Sequence, residues 1–147
     1  MVPTPQESKF SPSWLRQLRW PSRSLGRPPR WCFSTKGEIP NIPDSRVQFY
    51  KGWFEDTLPH YKLQILPSQV LVLFLDADLY SSTRYVLRTL SPHITLGTIL
   101  YFDEFWGREH ELKAFSEFID ETGMRFRPMI ADYGMRHIAF TRTDSVL

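Results

Sequence analysis

The fold of this chain is decided by Gln69-Val-Leu-Val-Leu-Phe-Leu75, an almost unbroken apolar run that stops abruptly at Asp76-Ala-Asp78. Strands that are buried on both faces of a parallel sheet have this composition. A second run of the same kind, Thr98-Ile-Leu-Tyr-Phe102, also ends at acidic residues, Asp103 and Glu104. Because a helical pattern lies between the two runs, they predict two parallel strands of one βαβ unit.

The residues on either side of this unit extend the α/β pattern. The predicted elements, in chain order, are a strand at Arg46–Tyr50, a turn or short helix at Trp53–Pro59, a strand at Gln69–Leu75, a helix capped by Ser81, Ser82 or Thr83, a strand at Thr98–Phe102, a helix from about Glu109 to Glu121 with Gly123 as its stop, and strands at Arg125–Ile130 and His137–Thr141. The last two strands are joined by a short connection, so they should be antiparallel. We therefore predict an α/β fold with a mostly parallel sheet and a terminal antiparallel hairpin.

The start of the chain differs in composition from the rest. Residues 1–36 hold seven basic residues and one acidic residue, and six prolines fall within residues 1–33. Proline removes backbone donors and disfavours long helices and strands. We expect residues 1–33 to form a disordered basic leader and residues 34–147 to form the folded domain. A nucleic-acid-binding arm has a similar composition, but composition alone is weak support, so no nucleic-acid partner is predicted.

Several classes of protein are excluded by the sequence. No apolar run approaches the roughly 18 residues that a membrane span requires. The single cysteine, Cys32, rules out an intrachain disulfide framework and a multi-cysteine zinc site, and it fits a reducing compartment. A cytoplasmic protein is the prediction. The four histidines show no metal-ligand spacing, so they are predicted to be surface or packing residues.

The acidic residues at the strand ends are the candidate site. Ligands of open α/β sheets bind beyond the carboxyl ends of the strands, so Asp76 and Asp103 should meet at one edge with Glu104 beside them. Like charges at close range favour a divalent cation, and hard oxygen donors suit Mg²⁺. Asp78 follows Asp76 by two residues, so strand alternation should point it to the same side as a free carboxylate for general-base chemistry.

Three segments carry a resemblance to a known family, namely Lys51-Gly-Trp-Phe-Glu-Asp-Thr-Leu-Pro59, Leu75-Asp-Ala-Asp-Leu-Tyr-Ser-Ser-Thr83 and Tyr101-Phe-Asp-Glu-Phe105. They resemble the macrocin O-methyltransferases, class I enzymes that use S-adenosylmethionine and Mg²⁺ to methylate sugar hydroxyls in natural products. The resemblance covers residues 34–143 and implies a Rossmann-like methyltransferase sheet. It also implies a small-molecule, sugar-like hydroxyl acceptor as the partner.

The resemblance assigns roles to individual residues. It implies that Asp76, Asp103 and Glu104 are metal ligands and that Asp78 is the base. Antibiotic-pathway members typically have Asp-Asp-Tyr where this chain has Asp-Glu-Phe, which keeps the charge but lengthens one side chain. Gly52 and Trp53 match the turn after the third strand of the family fold, near the adenine of the cofactor.

The resemblance also implies a missing portion. Class I methyltransferases bind their cofactor mainly through the first two strands and a glycine-rich turn, whereas this chain has no Gly-x-Gly motif. By resemblance the chain begins near the third strand, as an N-terminally truncated member that could be inactive. The absent first strand would lie beside the Gln69–Leu75 strand, whose edge should then be unpaired.

Two other classes of function stay open at this point. A non-catalytic interaction module, or a remnant, would use the unpaired sheet edge to bind a partner or a second copy of the chain. A different Asp-x-Asp enzyme, such as a glycosyltransferase or a haloacid-dehalogenase-type phosphatase, is ranked lower. The phosphatase pattern requires Thr or Val at the position of Tyr80, and no further motif of either class follows.

Overall fold

A computed structural model describes residues 39–144, so the predicted leader at residues 1–33 and Cys32 lie outside the described part of the chain. The elements are α1 (Phe54–Lys62), β1 (Val72–Leu75), α2 (Tyr80–Leu90), a short 3-10 turn (Ser91–His93), β2 (Ile99–Phe102), α3 (Glu111–Thr122), β3 (Arg125–Ala131) and β4 (Ile138–Thr143). The helix and strand types agree with the sequence pattern from α1 onward.

The four strands form one sheet in the order β1-β2-β4-β3. β1 and β2 are parallel, while β4 is antiparallel to both β2 and β3. Three of the four strands therefore run in the same direction, and the expected α/β sheet with a terminal antiparallel hairpin is confirmed. The parallel pairing of β1 with β2 follows from the helical crossover, which reverses the chain between them.

The strand predicted at Arg46–Tyr50 is wrong. Residues 47–50 form no helix or strand, and they pair with no strand in the part of the chain that the structure describes. A turn precedes them, in which Asp44 accepts hydrogen bonds from the main chain and side chain of Arg46. Alternating apolar residues form a strand only when a neighbouring strand satisfies the hydrogen bonds of their backbone groups. Residues 39–144 contain no such neighbour for residues 47–50.

The ends of the helices follow the sequence prediction only in part. The first residue of α2 is Tyr80, and the residue before it, Leu79, makes no side-chain cap. Ser81, Ser82 and Thr83 lie inside the helix, so their prediction as N-caps is wrong. The helix begins earlier because the tight turn after β1 sets its start. Gly123 is confirmed as the residue that ends α3, since it adopts a left-handed conformation with φ 66°.

The core lies on one face of the sheet, under α2 and α3. Four fully buried phenylalanine rings form its centre, with centroids 4.8 to 6.1 Å apart: Phe102, Phe105, Phe115 and Phe140. Aromatic pairs at such distances contribute about 0.5–1.5 kcal/mol each beyond the burial of their area. This cluster fixes the end of β2, where the acidic residues begin.

Charged side chains join α2 to α3 on the outside of the core. The guanidinium of Arg84 lies 2.6 Å from an oxygen of Glu117 and 2.8 Å from an oxygen of Glu121. Arg84 also donates to the hydroxyl of Tyr80, which donates to Glu117 at 2.5 Å. Arg88 adds a second contact to Glu121. These bonds hold the start of α2 in place, directly after the first acidic turn.

The opposite face of the sheet is largely open along β1. The side chains of Val72 and Phe74 are 63% and 71% exposed. The ring of Phe74 stacks on that of Tyr101 at 4.1 Å, and Tyr101 in turn stacks on His137 at 6.4 Å. An aromatic row thus crosses this face toward the carboxyl end of β2. Among the described residues no helix is long and apolar enough to cross a membrane.

Candidate active site

The carboxyl ends of β1 and β2 lie side by side. Leu75 pairs with Phe102 in the parallel register, and the N–H of Asp103 donates to the carbonyl of Leu75 at 3.1 Å. Asp76 and Asp103 are the residues that immediately follow this pair. The predicted placement of both acidic segments at one edge of the sheet is therefore present in the structure.

The turn after β1 is unusually tight. The N–H of Leu79 donates to the carbonyl of Ala77, which closes a three-residue turn with Asp78 at its centre. Asp78 has φ 53°, a left-handed conformation that few non-glycine residues adopt but that aspartate tolerates. Such strained residues cluster at functional sites, although they do not by themselves define one.

The two carboxylates of this turn are exposed. Neither Asp76 nor Asp78 makes a side-chain hydrogen bond or ion pair with another described residue. The argument from strand alternation does not apply to them, because β1 ends at Leu75 and Asp78 is left-handed. Both side chains are accessible to a ligand at the edge of the sheet.

The two acids after β2 already lie beside a histidine and an arginine. The imidazole Nε2 of His137 lies 3.4 Å from an oxygen of Asp103, and the guanidinium of Arg136 lies 3.4 Å from an oxygen of Glu104. Both partners come from the connection between β3 and β4. The prediction that His137 is a plain surface or packing residue is therefore incomplete, since it faces the candidate site.

Asp132 organises the connection between β3 and β4. One of its oxygens accepts the N–H of Arg136 at 2.8 Å and that of His137 at 3.3 Å. Its other oxygen lies 3.1 Å from Nδ1 of His137. Partial desolvation raises the pKa of Asp132, but the hydrogen bonds from His137 and Arg136 oppose it and hold that pKa below the usual value. The imidazole is thus fixed between Asp132 and Asp103.

Glu111, at the start of α3, is the buried acid of the site. It is 0% exposed, and its Oε2 accepts the main-chain N–H of Glu104 at 2.9 Å. Burial raises the pKa of Glu111 to about 6, the N–H groups of Glu104 and Ala77 oppose that rise, and the charges of Asp103 and Glu104 add to it. Sequence reasoning missed this residue because an acid in the first turn of a helix is ordinary.

The donor set suits a hard divalent cation, but the side chains are not assembled around one. Asp76, Asp103 and Glu104 offer only carboxylate oxygens, the ligands that Mg²⁺ prefers. Within residues 39–144, however, no three His, Cys, Asp or Glu side chains are arranged to hold a metal ion. The structure therefore brings the two acidic turns to neighbouring strand ends, but Asp103 and Glu104 face His137 and Arg136, and the metal-ligand roles stay predictions.

The two predicted cofactor residues lie at the start of α1. Trp53 precedes the helix, is 76% exposed and offers a broad aromatic surface. Gly52 has φ 150°, and a Cβ there would lie 2.9 Å from the methyl carbon of Thr57. The backbone conformation and the contact with Thr57 are thus a local steric reason for a glycine at position 52. No hydrogen bond, ion pair or ring contact in the described range joins Gly52 or Trp53 to the acidic turns.

Comparison with known proteins identifies the family. The family profile described as macrocin-O-methyltransferase (TylF) matches residues 39–133, which is more than half of the chain. The chain belongs to the macrocin-O-methyltransferase (TylF) family. The family expected from the three sequence segments is therefore confirmed, and the match begins at the first residue that the structure describes.

Two curated proteins illustrate the likeness within the TylF family. Demethyldecarbamoylnovobiocin O-methyltransferase from Streptomyces niveus is 39% identical over 65 residues, which is 44% of this chain and 23% of that protein. The 8-demethyl-8-(2,3-dimethoxy-alpha-L-rhamnosyl)-tetracenomycin-C 4'-O-methyltransferase from Streptomyces olivaceus is 37% identical over 62 residues, or 42% of this chain and 22% of that protein. The matched region thus spans less than a quarter of the length of either relative.

A solved structure supports the fold assignment. The chain is similar to apo CalS11, a TDP-rhamnose 3'-O-methyltransferase in calicheamicin biosynthesis, with a TM-score of 0.50 and 25% identity. The match covers 65% of this chain and 42% of that one. The four-stranded sheet and its helices therefore resemble part of a methyltransferase fold.

Proposed function

We propose that this chain transfers a methyl group from S-adenosylmethionine to a hydroxyl of a sugar or sugar-like natural product. Membership of the TylF family and the names of the similar enzymes support this activity. The observation that carries the proposal is the parallel register of β1 and β2. It brings Asp76, Asp78, Asp103 and Glu104 to one edge of the sheet, where ligands of α/β proteins bind.

The proposed base is Asp78. Its carboxylate is exposed and has no competing partner in the described structure, so it can accept the proton of an incoming hydroxyl. The tight turn around Asp78 limits the positions that this carboxylate can take, which favours alignment of the acceptor. When bound, S-adenosylmethionine would supply an electrophilic methyl group for the deprotonated oxygen.

The proposed metal ligands are Asp76, Asp103 and Glu104. A bound Mg²⁺ would favour loss of the acceptor proton by stabilising negative charge on oxygen. Since His137 faces Asp103 and Arg136 faces Glu104, these two side chains compete with a metal ion for the carboxylates. We expect the affinity for Mg²⁺ to rise when either of these side chains is removed.

The proposed cofactor contacts are Gly52 and Trp53. An exposed indole provides a stacking surface for a purine, and such stacking contributes about 1–3 kcal/mol by alanine substitution. Since two residues provide few contacts, binding through them alone should be weak and turnover slow. A cytoplasmic location remains the expectation for such an enzyme.

Isothermal titration calorimetry with S-adenosylmethionine tests this assignment. We expect a dissociation constant in the micromolar range or weaker for the full chain, and about tenfold weaker binding for Trp53→Ala. Leu63→Ala is the matched control, because Leu63 is an exposed apolar side chain at the opposite end of α1. Absence of binding by the unaltered chain would contradict the enzymatic assignment.

A second candidate function is an interaction module that pairs through the edge of β1 that no described strand covers. The two edge strands of the sheet differ in their protection. β3 carries Pro128 and a register irregularity between Pro128 and Ile130, both of which hinder edge pairing. β1 has neither feature and exposes Val72 and Phe74. The structure thus offers β1 as the edge at which a partner strand, including that of a second copy, would add.

Sedimentation velocity of charged variants distinguishes this candidate. If copies of the chain pair through β1, Val72→Lys should lower the oligomer fraction at micromolar concentration, since edge lysines oppose pairing. Ile130→Lys is the matched control, because Ile130 is exposed to a similar degree (70%) on β3. An unaltered chain that sediments as a monomer, or equal effects of the two variants, would contradict pairing through β1.

A further inference from the structure

The hydroxyl of Tyr80 connects the start of α2 to α3. It donates to Oε2 of Glu117 at 2.5 Å, and it accepts a hydrogen bond from the guanidinium of Arg84. Glu117 lies 37 residues further along the chain, in the middle of α3. Because the hydroxyl both donates and accepts, these two bonds fix the orientation of the tyrosine side chain.

The ring of Tyr80 contacts charged side chains of both helices. The guanidinium carbon of Arg84 lies 5.7 Å from the ring centroid, and Nζ of Lys113 in the first turn of α3 lies 5.2 Å from it. Both distances are within the range of cation–π interactions. A phenylalanine at this position would keep these ring contacts, so Tyr80→Phe removes the hydrogen bonds of the hydroxyl alone.

The start of α2 has no cap from its own residues. Leu79 precedes the helix and makes no side-chain cap, and the first turn contains no acidic residue. The hydroxyl of Thr83 is buried without a hydrogen bond to any described residue. Capping side chains normally satisfy the free N–H groups at a helix start and fix its position. In α2 the position of the start depends instead on the bonds that its first residue, Tyr80, makes with α3.

Asp78 lies two residues before Tyr80, in the turn between β1 and α2. Its carboxylate makes no side-chain hydrogen bond or ion pair with another described residue, so its position is set by the backbone of the turn. The pairing of β1 with β2 fixes one end of this turn. At the other end, the N–H of Thr83 donates to the carbonyl of Leu79 at 3.0 Å and joins the turn to the helix that Tyr80 holds.

The second acidic turn is bonded to the same helix. Glu111, the first residue of α3, accepts the main-chain N–H of Glu104 at 2.9 Å. Through the bond between Tyr80 and Glu117, the start of α2 is attached to α3 as well. The helix α3 is therefore a common support for the segments that follow β1 and β2.

We propose that Tyr80 is a positioning residue that holds Asp78, the proposed base, in place through its hydrogen bond to Glu117. In this role Tyr80 contacts neither substrate nor cofactor. Its effect on catalysis rests on the proposed function, whereas the attachment of the start of α2 to α3 does not.

Amide hydrogen exchange of the full 147-residue chain, without added metal or cofactor, tests the attachment. In Tyr80→Phe the amide of Thr83 should exchange about tenfold faster, because the first hydrogen bond of α2 opens more often. The amide of Leu90, in the last turn of α2, should keep its protection. Tyr85→Phe is the matched control, since the hydroxyl of Tyr85 on the same helix donates to the carbonyl of Glu55 at 3.4 Å and not to α3.

A double-mutant cycle identifies the partner. In the Glu117→Ala background, Tyr80→Phe should cause no further acceleration at Thr83, because the acceptor of the hydroxyl is already absent. The proposal is overturned if exchange at Thr83 is unchanged in Tyr80→Phe or equally accelerated in Tyr85→Phe. It is also overturned if Leu90 is accelerated by the same factor, or if the effects of Tyr80→Phe and Glu117→Ala are additive.

Methyl transfer from S-adenosylmethionine, with TDP-rhamnose as the probe acceptor, tests the effect on catalysis. In Tyr80→Phe the rate at saturating cofactor should fall about tenfold or more, while the KM for S-adenosylmethionine stays unchanged. In the Asp78→Asn background the same change should have no effect, and a further loss of equal size there would overturn the positioning of Asp78. If the unaltered chain transfers no methyl group, the proposed function fails, and exchange at Thr83 alone decides the role of Tyr80.

Discussion

Glu111 and Glu104 are joined by a hydrogen bond of 2.9 Å from the main chain of Glu104 to the buried carboxylate of Glu111. Through this bond the first residue of α3 is connected to the turn that follows β2. The arrangement places a third carboxylate behind Asp103 and Glu104, out of solvent. The stability of the turn after β2 should therefore depend on whether the carboxyl group of Glu111 is protonated.

The first prediction concerns pH. Burial raises the pKa of Glu111 from 4.5 to about 6, so the folded state binds this proton more tightly than the unfolded state. The resulting stabilisation is fully present below about pH 4.5 and is lost as the pH rises through about 6, a change of about 2 kcal/mol at 1.36 kcal/mol per pKa unit. Urea unfolding in EDTA at pH 4 and pH 7.5 measures this change. The unaltered chain should lose the stabilisation between the two pH values, whereas Glu111→Gln should not. Identical pH dependence of the two proteins would contradict the prediction.

The second prediction concerns the aromatic core. Phe115 is fully buried, and its ring lies 4.8 Å from that of Phe140 and 5.0 Å from that of Phe102. Phe115→Ala should lower the free energy of unfolding by about 3–5 kcal/mol, the range for a fully buried phenylalanine. Leu112→Ala on the same helix is the control and should cost less than half as much, because Leu112 is only partly buried. Similar losses in the two variants would show that the rings do not form the centre of the core.

The third prediction separates two explanations of Gly52. If the glycine is needed for the local backbone, Gly52→Ala should destabilise the fold by about 1–3 kcal/mol, because φ 150° strains any residue with a Cβ. Adding Thr57→Ser should recover part of that loss, since it removes the methyl carbon 2.9 Å from the new Cβ. Gly134→Ala, where a Cβ meets no atom within 4 Å, is the control. A Gly52→Ala protein with unchanged urea unfolding but weaker S-adenosylmethionine binding would favour the cofactor explanation.

The sheet could largely be predicted from the sequence, because its strands have distinctive patterns. The apolar runs at Gln69–Leu75 and Thr98–Phe102 gave the right strand types and the right parallel pairing, although each observed strand is shorter. Alternation at Arg46–Tyr50 gave a strand that does not form. The two cases differ in whether a neighbouring strand is present. β1 and β2 pair with each other, whereas the described residues provide no strand beside residues 47–50.

The site was harder to predict, since its remaining members come from distant parts of the chain. The four acids at the strand ends were visible as a motif, and the sheet register places the two turns that carry them at neighbouring strand ends. His137 and Arg136 reach the site because β4 pairs with β2, an adjacency that the hairpin pattern does not reveal. Glu111 was hidden because its burial depends on the packing of α3, and its residue type is common at helix starts.

Transfer of a labelled methyl group from S-adenosylmethionine to TDP-rhamnose, measured with excess enzyme and Mg²⁺, tests the central claim most directly. TDP-rhamnose is a suitable probe because the similar solved enzyme is a TDP-rhamnose 3'-O-methyltransferase. The account predicts slow incorporation by the unaltered chain and a loss of about 10²–10⁴-fold in Asp78→Asn, the contribution typical of a general base. Absence of labelled product, or equal incorporation by Asp78→Asn and the unaltered chain, would contradict it.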